Sequence, residues 1–244
     1  MKENRYDDPV FFRKYSEMAR SRLGLEGAGE WKTLRPMLPD FTGKRVLDLG
    51  CGYGWHAFYA AENGAEKVLG IDLSEKMLAV AREKNTFPNV RFARGAMEDV
   101  RFPDGSFDAV LSSLALHYVK DYAELVSRVY RWLAPGGAFV FSAEHPTFTA
   151  YGNQDWYYSP EGEILHFPVD RYFYEGEREA VFLGEKVIKY HRTVDGYLKP
   201  LWQTGFTVED LSEPRPPEEM MDLPGMKDEM RRPMMLLVSA RKPL

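Results

Sequence analysis

The run Val46-Leu47-Asp48-Leu49-Gly50-Cys51-Gly52-Tyr53-Gly54 constrains this chain more than any other segment. Its first half reads as a strand, and its alternate glycines let the backbone turn tightly and a ligand approach where a Cβ would obstruct. A second apolar run ends in Gly70-Ile71-Asp72-Leu73-Ser74, placing a carboxylate 22 residues after Gly50. That is the spacing at which strand–turn–helix nucleotide folds hold a ribose. A dinucleotide fingerprint would need glycine at position 55, but Trp55 stands there and Gly54 comes one residue early, which argues against a nicotinamide cofactor.

Short apolar runs at Arg45 to Leu49, Lys67 to Ile71, Val90 to Ala93, Asp108 to Ser112 and Gly137 to Ala143 read as strands. Helical patterns fill the gaps: Gly54 to Asn63 stopped by Gly64, a Ser74-capped segment with Met77, Leu78 and Ala81 in register, and an Asp121-capped segment running to about Leu133 before Pro135-Gly136-Gly137. Later come a helix face at Val194, Tyr197, Leu198, Leu201 and Trp202, kinked by Pro200, and strands at Phe206 to Leu211 and Met234 to Ala240. The alternation predicts an α/β fold with a doubly wound, mostly parallel seven-stranded sheet, helices on both faces, and an aromatic-rich insertion after the fifth strand. One domain, 1–244, is expected, made of an N-terminal helical cap (1–40), a cofactor-binding core (41–143), a lid insertion (144–192) and the rest of the sheet (193–244).

Composition narrows the function. A net charge of −5 with no long basic run speaks against nucleic acid as a partner. No apolar stretch reaches the roughly 18 residues of a membrane span and the first residues lack a signal-peptide core, so a cytoplasmic protein without membrane contact is expected. A single cysteine, Cys51, leaves no internal disulfide, and no Cys/His spacing suggests a metal.

In its glycine loop and Ile71-Asp72 the chain resembles the Rossmann-like, class I S-adenosylmethionine-dependent methyltransferases of small-molecule type. The resemblance runs from about Arg45 to Ala143. Gly95-Ala96-Met97-Glu98-Asp99 with Phe102 to Asp108 is similar to the family's third motif, Leu111-Ser112-Ser113-Leu114-Ala115-Leu116-His117-Tyr118 to its fourth, and Leu133 to Gly137 to the turn before its fifth strand. One departure is Ala96, where many members carry Asp. The resemblance implies S-adenosylmethionine as cofactor, bordered by Gly50, Cys51, Gly52 and Gly54, with Asp48 orienting the loop or meeting the amino group and Asp72 accepting the ribose hydroxyls. Leu73 and Met77 would flank the adenine on one side and Ala96, Met97 and Glu98 on the other; Ser112 belongs to the fourth motif, and Tyr15 to an N-terminal helix over Tyr6 to Leu23 that closes the site. Met77 and Met97 also read as core, and the N-terminal helix as packing on the sheet edge.

Methyl transfer from a sulfonium by in-line displacement asks the protein to align the acceptor and exclude water, with a base optional. His117 and His145 follow the fourth and fifth strands at the carboxyl edge, and His191 precedes a helix that returns to it, so these three are the candidate catalytic residues. His56 reads as part of the first helix. The segment Glu144 to Arg192 holds 11 of 34 aromatics, including Trp156-Tyr157-Tyr158 and Tyr172-Phe173-Tyr174, suiting a lid over an apolar or cationic acceptor. It also reads as a hairpin, Tyr172 to Glu179 with Glu185 to Arg192, carrying its own small core. Whether O, N, C or S is methylated stays open. The alternatives are a nicotinamide-dependent oxidoreductase and a non-catalytic S-adenosylmethionine-binding module.

Overall fold

The structure, a computed structural model, describes residues 4–244; the first three residues of the expected cap lie outside the described residues. In chain order the elements are α1 (Pro9–Ser16), α2 (Ala19–Leu23), α3 (Trp31–Leu34), β1 (Arg45–Leu49), α4 (Trp55–Glu62), β2 (Lys67–Asp72), α5 (Glu75–Lys84), β3 (Val90–Arg94), β4 (Phe107–Ser113), α6 (Tyr122–Trp132), β5 (Leu133–Glu144) and α7 (Pro146–Thr149). They continue with β6 (Tyr157–Tyr158), β7 (Ile164–His166), β8 (Gly176–Phe182), β9 (Glu185–His191), α8 (Val194–Thr204), β10 (Thr207–Ser212), α9 (Met226–Glu229) and β11 (Met235–Arg241).

Seven strands form one sheet in the order β10-β11-β5-β4-β1-β2-β3. The pairs among β1 to β5 are parallel, while β11 runs antiparallel to both β5 and β10. The expected mostly parallel α/β sheet is therefore present. Val46 to Leu49 are all buried because both faces of β1 are covered. Leu47 and Leu49 join a core with α6 and α8, whereas Val46 joins a core with α3 and α4. The order reverses between β1 and β4, so the crevice outside their carboxyl ends is the natural ligand position.

Local chemistry explains the boundaries. The Ser74 hydroxyl accepts from Met77 N–H and the Asp121 carboxylate from Glu124 N–H, as their capping positions require. The N-terminal segment is not one helix over Tyr6 to Leu23: Met18 is extended (φ −63°, ψ 148°), which separates α1 from α2. The hairpin is shifted from its expected start. Left-handed Arg171 (φ 57°) closes a turn onto Tyr174, and β8 starts only at Gly176. Leu183 and Gly184, both left-handed, then make the two-residue turn that pairs Phe182 with Glu185. Nor is the hairpin core its own, since Ala180 and Val187 are buried against Phe11 of α1. Helix α8 runs through Pro200 with Tyr197 and Leu201 buried, but Trp202, expected on the same face, is 53% exposed.

Candidate active site

All three loop glycines have left-handed backbones: Gly50 at φ 73°, Gly52 at 53° and Gly54 at 82°. They serve different ends. A Cβ on Gly50 would lie 2.4 Å from Ala115 Cβ, so the close approach of the segment after β4 depends on glycine there. A Cβ on Gly54, the cap residue of α4, would strike the Phe92 ring at 2.6 Å. The loop is tied to β2 by Gly50 N–H and Cys51 N–H donating to the Ile71 carbonyl. Asp72 completes the tie, its carboxylate accepting from Gly52 N–H (2.8 Å) and Ser74 N–H (2.9 Å). Burial pushes the Asp72 carboxyl up, opposed by those same backbone donors.

These residues open onto a cavity of about 770 Å³ that runs from Asp72 to Lys189. Of the expected cofactor residues, Tyr15, Gly50, Gly52, Asp72, Leu73, Met77, Ala96, Met97 and Glu98 line it. Four do not. Asp48 is buried outside the lining with Oδ2 unpartnered; burial and then the Asp72 charge push it up to about 7, against a hydrogen bond from the Ala57 backbone of α4. Cys51 is buried with its thiol pushed well up, Gly54 acts in packing, and Ser112 donates to the Leu49 carbonyl (2.8 Å), fastening β4 to β1. The lining after β4 comes instead from Ser113, Leu114 and Ala115. Leu114 is itself left-handed (φ 48°), a strained conformation held by its N–H bonding Ser142.

The cap forms one wall. Asp8 caps α1, while Asp7 reaches across to Ser74 Oγ (2.6 Å) and Lys76 N–H (3.1 Å) at the start of α5. Tyr6, absent from the sequence-based candidates, packs edge-on against Tyr15, and its hydroxyl lies 3.1 Å from that of Tyr118. No motif marks Tyr6.

Of the three candidate histidines, only His117 lines the cavity. Burial drives its ring down to about 4, and Nδ1 accepts from Glu144 N–H at 3.4 Å, leaving Nε2 to carry the proton 4.0 Å from Glu144 Oε1. His145 instead caps α7, accepting from Thr147 N–H, with Nε2 2.8 Å from Glu213. His191 has both ring nitrogens engaged, by Thr149 Oγ1 (2.7 Å) and the Tyr172 carbonyl (2.9 Å). Neither lines the cavity, because both rings are held by local partners. His56 sits in α4 as expected, driven down to about 4 by burial.

The aromatic insertion also departs from expectation. Phe173 and Tyr174 are 86% and 71% exposed, and of the 11 aromatics in 144–192 only Phe148, Phe182 and Tyr190 line the cavity. Trp156 and Phe167, with Phe148, instead pack around the Arg232 guanidinium. What the sequence did not reveal is a polar cluster in the wall: buried Lys189 donates to Glu144 Oε1 (2.6 Å) and Gln154 Oε1 (2.7 Å), and Gln154 Nε2 donates to Glu144 Oε2 (2.6 Å).

A switch-point cavity floored by glycines and one acidic strand end defines an α/β protein built around a nucleoside-bearing cofactor. Comparison with known proteins narrows the class. The methyltransferase domain family matches residues 47–141. A solved Listeria monocytogenes chain assigned to the S-adenosylmethionine-dependent methyltransferases is 55% identical, covering 91% of this chain and 100% of that one at a TM-score of 0.86. An S-adenosylmethionine-dependent methyltransferase from Mesorhizobium loti is 46% identical, covering 89% and 100% at 0.82. The demethylmenaquinone methyltransferase of Lactococcus lactis is 36% identical over 126 residues, 49% of this chain and 50% of that protein, so the chain spans about half the length of that curated relative. The chain belongs to the S-adenosylmethionine-dependent methyltransferases. It is an enzyme of that family with S-adenosylmethionine as its cofactor, and neither alternative from the sequence is favoured. Among the described residues no helix is long and apolar enough to cross a membrane.

Proposed function

We propose that the enzyme transfers the methyl group of S-adenosylmethionine to a small-molecule acceptor held in the same cavity. The observation that carries this reading is the continuity of the cavity from the Asp72 carboxylate to the Lys189 cluster, walled by the cap and the β8–β9 hairpin. Its volume of about 770 Å³ lies in the upper part of the roughly 300–1,000 Å³ range of small-molecule sites. A relative named for demethylmenaquinone supports a small acceptor.

The residues present fit the cofactor. The Asp72 oxygens each accept one backbone N–H and keep a lone pair for a ribose hydroxyl. Gly50 and Gly52 border the methionine and ribose portion, Leu73 and Met77 flank the adenine opposite Ala96, Met97 and Glu98, and Tyr15 closes over them. The unpartnered Asp48 Oδ2 and the Ala57 backbone contact suit an acid that orients the loop. When bound, the cofactor supplies an electrophilic methyl on a sulfonium. The chain's own work is to exclude water and align the acceptor. His117 is neutral with its proton on Nε2, so it serves as a hydrogen-bond donor toward the acceptor.

Calorimetric titration with S-adenosylhomocysteine tests the cofactor half. Asp72→Ala is expected to weaken binding at least tenfold, one hydrogen bond to a charged group being worth about 1.5–3 kcal/mol. Unchanged affinity in a folded variant refutes the ribose assignment, and methyl incorporation into polypeptides but no small molecule refutes the acceptor class.

A further inference from the structure

The polar cluster keeps donors to spare. The Glu144 oxygens each accept one bond, from Lys189 and from Gln154. Lys189 gives two of its three N–H groups to Glu144 and Gln154, and it is 2% exposed although it forms part of the cavity wall. His117 adds an Nε2–H from the turn after β4. The surrounding wall is apolar and partly aromatic, with Phe148, Phe182 and Ile188. Such a wall suits a flat apolar molecule that brings lone pairs to those donors.

We propose, resting on the reading that this cavity holds the acceptor, that the acceptor is an aromatic hydroxyl compound bound as its oxyanion at the third N–H of Lys189. The proton leaves to solvent as the compound binds. The oxyanion's lone pair then forms the new O–C bond as the sulfur–methyl bond breaks and its electrons stay on sulfur, so no base is needed. The charges around Lys189 agree. Glu144 of β5 balances Lys189, neutral His117 adds none, and Arg192, bonded to the Val119 and Lys120 carbonyls, is a second cation near His117. Lys120 and Glu177, both exposed where they meet the cavity, offset each other. Burial alone would push Glu144 up, yet the Lys189 ammonium and the Lys189 and Gln154 hydrogen bonds hold it below the usual carboxylate range, which makes it a weak base.

The probe is 4-nitrophenol, whose absorption spectrum separates phenol from phenolate, titrated with and without S-adenosylhomocysteine at a pH below its own pKa. With the native protein the phenolate spectrum is expected on binding. In Glu144→Gln/Lys189→Met, which removes both charges and so leaves none buried alone, the phenolate signal disappears and binding weakens about 10- to 100-fold, the value of one charge-assisted hydrogen bond. A neutral-phenol spectrum, no binding, equal affinity in the variant, or tighter binding of 4-nitroaniline or 4-nitrobenzoate overturns the proposal. Titration with S-adenosylhomocysteine separates the two readings: failure to bind in the native protein sinks the proposed function, whereas intact binding without phenolate sinks only this inference.

Discussion

Alanine at Gly50 and at Gly52 places the same methyl group on the same loop, and the structure assigns the two very different consequences. Both positions are left-handed, which costs a non-glycine residue about 1–2 kcal/mol. At Gly52 the added carbon meets only Met77 Cε at 3.6 Å, an ordinary contact, so backbone strain is the whole penalty. At Gly50 it would sit 2.4 Å from Ala115 Cβ and 3.1 Å from Met97 Cε. Relieving that overlap means moving the segment after β4, an overpacking cost of about 1–3 kcal/mol on top of the strain. Gly52→Ala is therefore expected to destabilise by about 1–2 kcal/mol and Gly50→Ala by about 2–5 kcal/mol. For a chain of this size each kcal/mol lowers Tm by roughly 2–4 °C, so ligand-free calorimetry resolves the two. S-adenosylhomocysteine titration adds an independent reading. Gly52→Ala should lose affinity out of proportion to its small stability loss, because the methyl group enters the cavity. A Gly52→Ala variant as destabilised as Gly50→Ala would refute the assignment of close approach to Gly50.

His145→Ala and His191→Ala are expected to lower Tm, the first by about 1 kcal/mol of lost helix cap and the second by about 2 kcal/mol or more, since it strands buried Thr149 and the Tyr172 carbonyl. Methyl transfer per folded molecule should hardly change in either, and a tenfold fall in kcat would restore them as candidates. Stability should also depend on pH in a defined direction. His56 and His117 fall from 6.5 to about 4 on folding, so their contribution is complete above 6.5 and is lost as pH falls toward 4. Asp48 rises from 3.8 to about 7, so its contribution is complete below 3.8 and is lost as pH rises toward 7. Two protons against one leaves stability rising by about 1.4 kcal/mol per pH unit from these groups over the middle of that window. Urea unfolding between those limits should show that slope flattened by His56→Gln and steepened by Asp48→Asn, and an unaltered slope in both would refute the account.

The glycine-loop end of the cavity was legible in the sequence because its constraints are local. A left-handed turn needs glycine, and a strand end carrying Asp72 fixes where its carboxylate emerges. The motif marks the loop rather than its lining, which is why Asp48, Cys51, Gly54 and Ser112 carry its signature while lying behind the wall. The Lys189 wall of the cavity was not legible. Lys189 alternates along β9 with buried Val187 and His191, a pattern that marks the face but not its purpose, and its partner Glu144 lies 45 residues earlier. His145 and His191 stand near the carboxyl edge of the sheet, yet that place does not aim a ring. Each was captured by its own neighbours.

The N-terminal segment shows how a short stretch can govern both halves. Consecutive acids cap different helices: Asp8 fixes α1, and Asp7 fixes that helix to the start of α5 beside Asp72. One turn further on, Phe11 is fully buried against Ala180 and Val187, and Lys14 donates to the Leu183 carbonyl at the hairpin turn. Polar caps thus set the position of the segment on the Asp72 side, and apolar burial sets it on the hairpin side. Both sets of contacts act on α1, so the Asp72 wall and the hairpin wall of the cavity share one element. Tyr6 and Tyr15, which flank these anchors in the chain, line the cavity, which is why residues without any motif of their own become part of its wall.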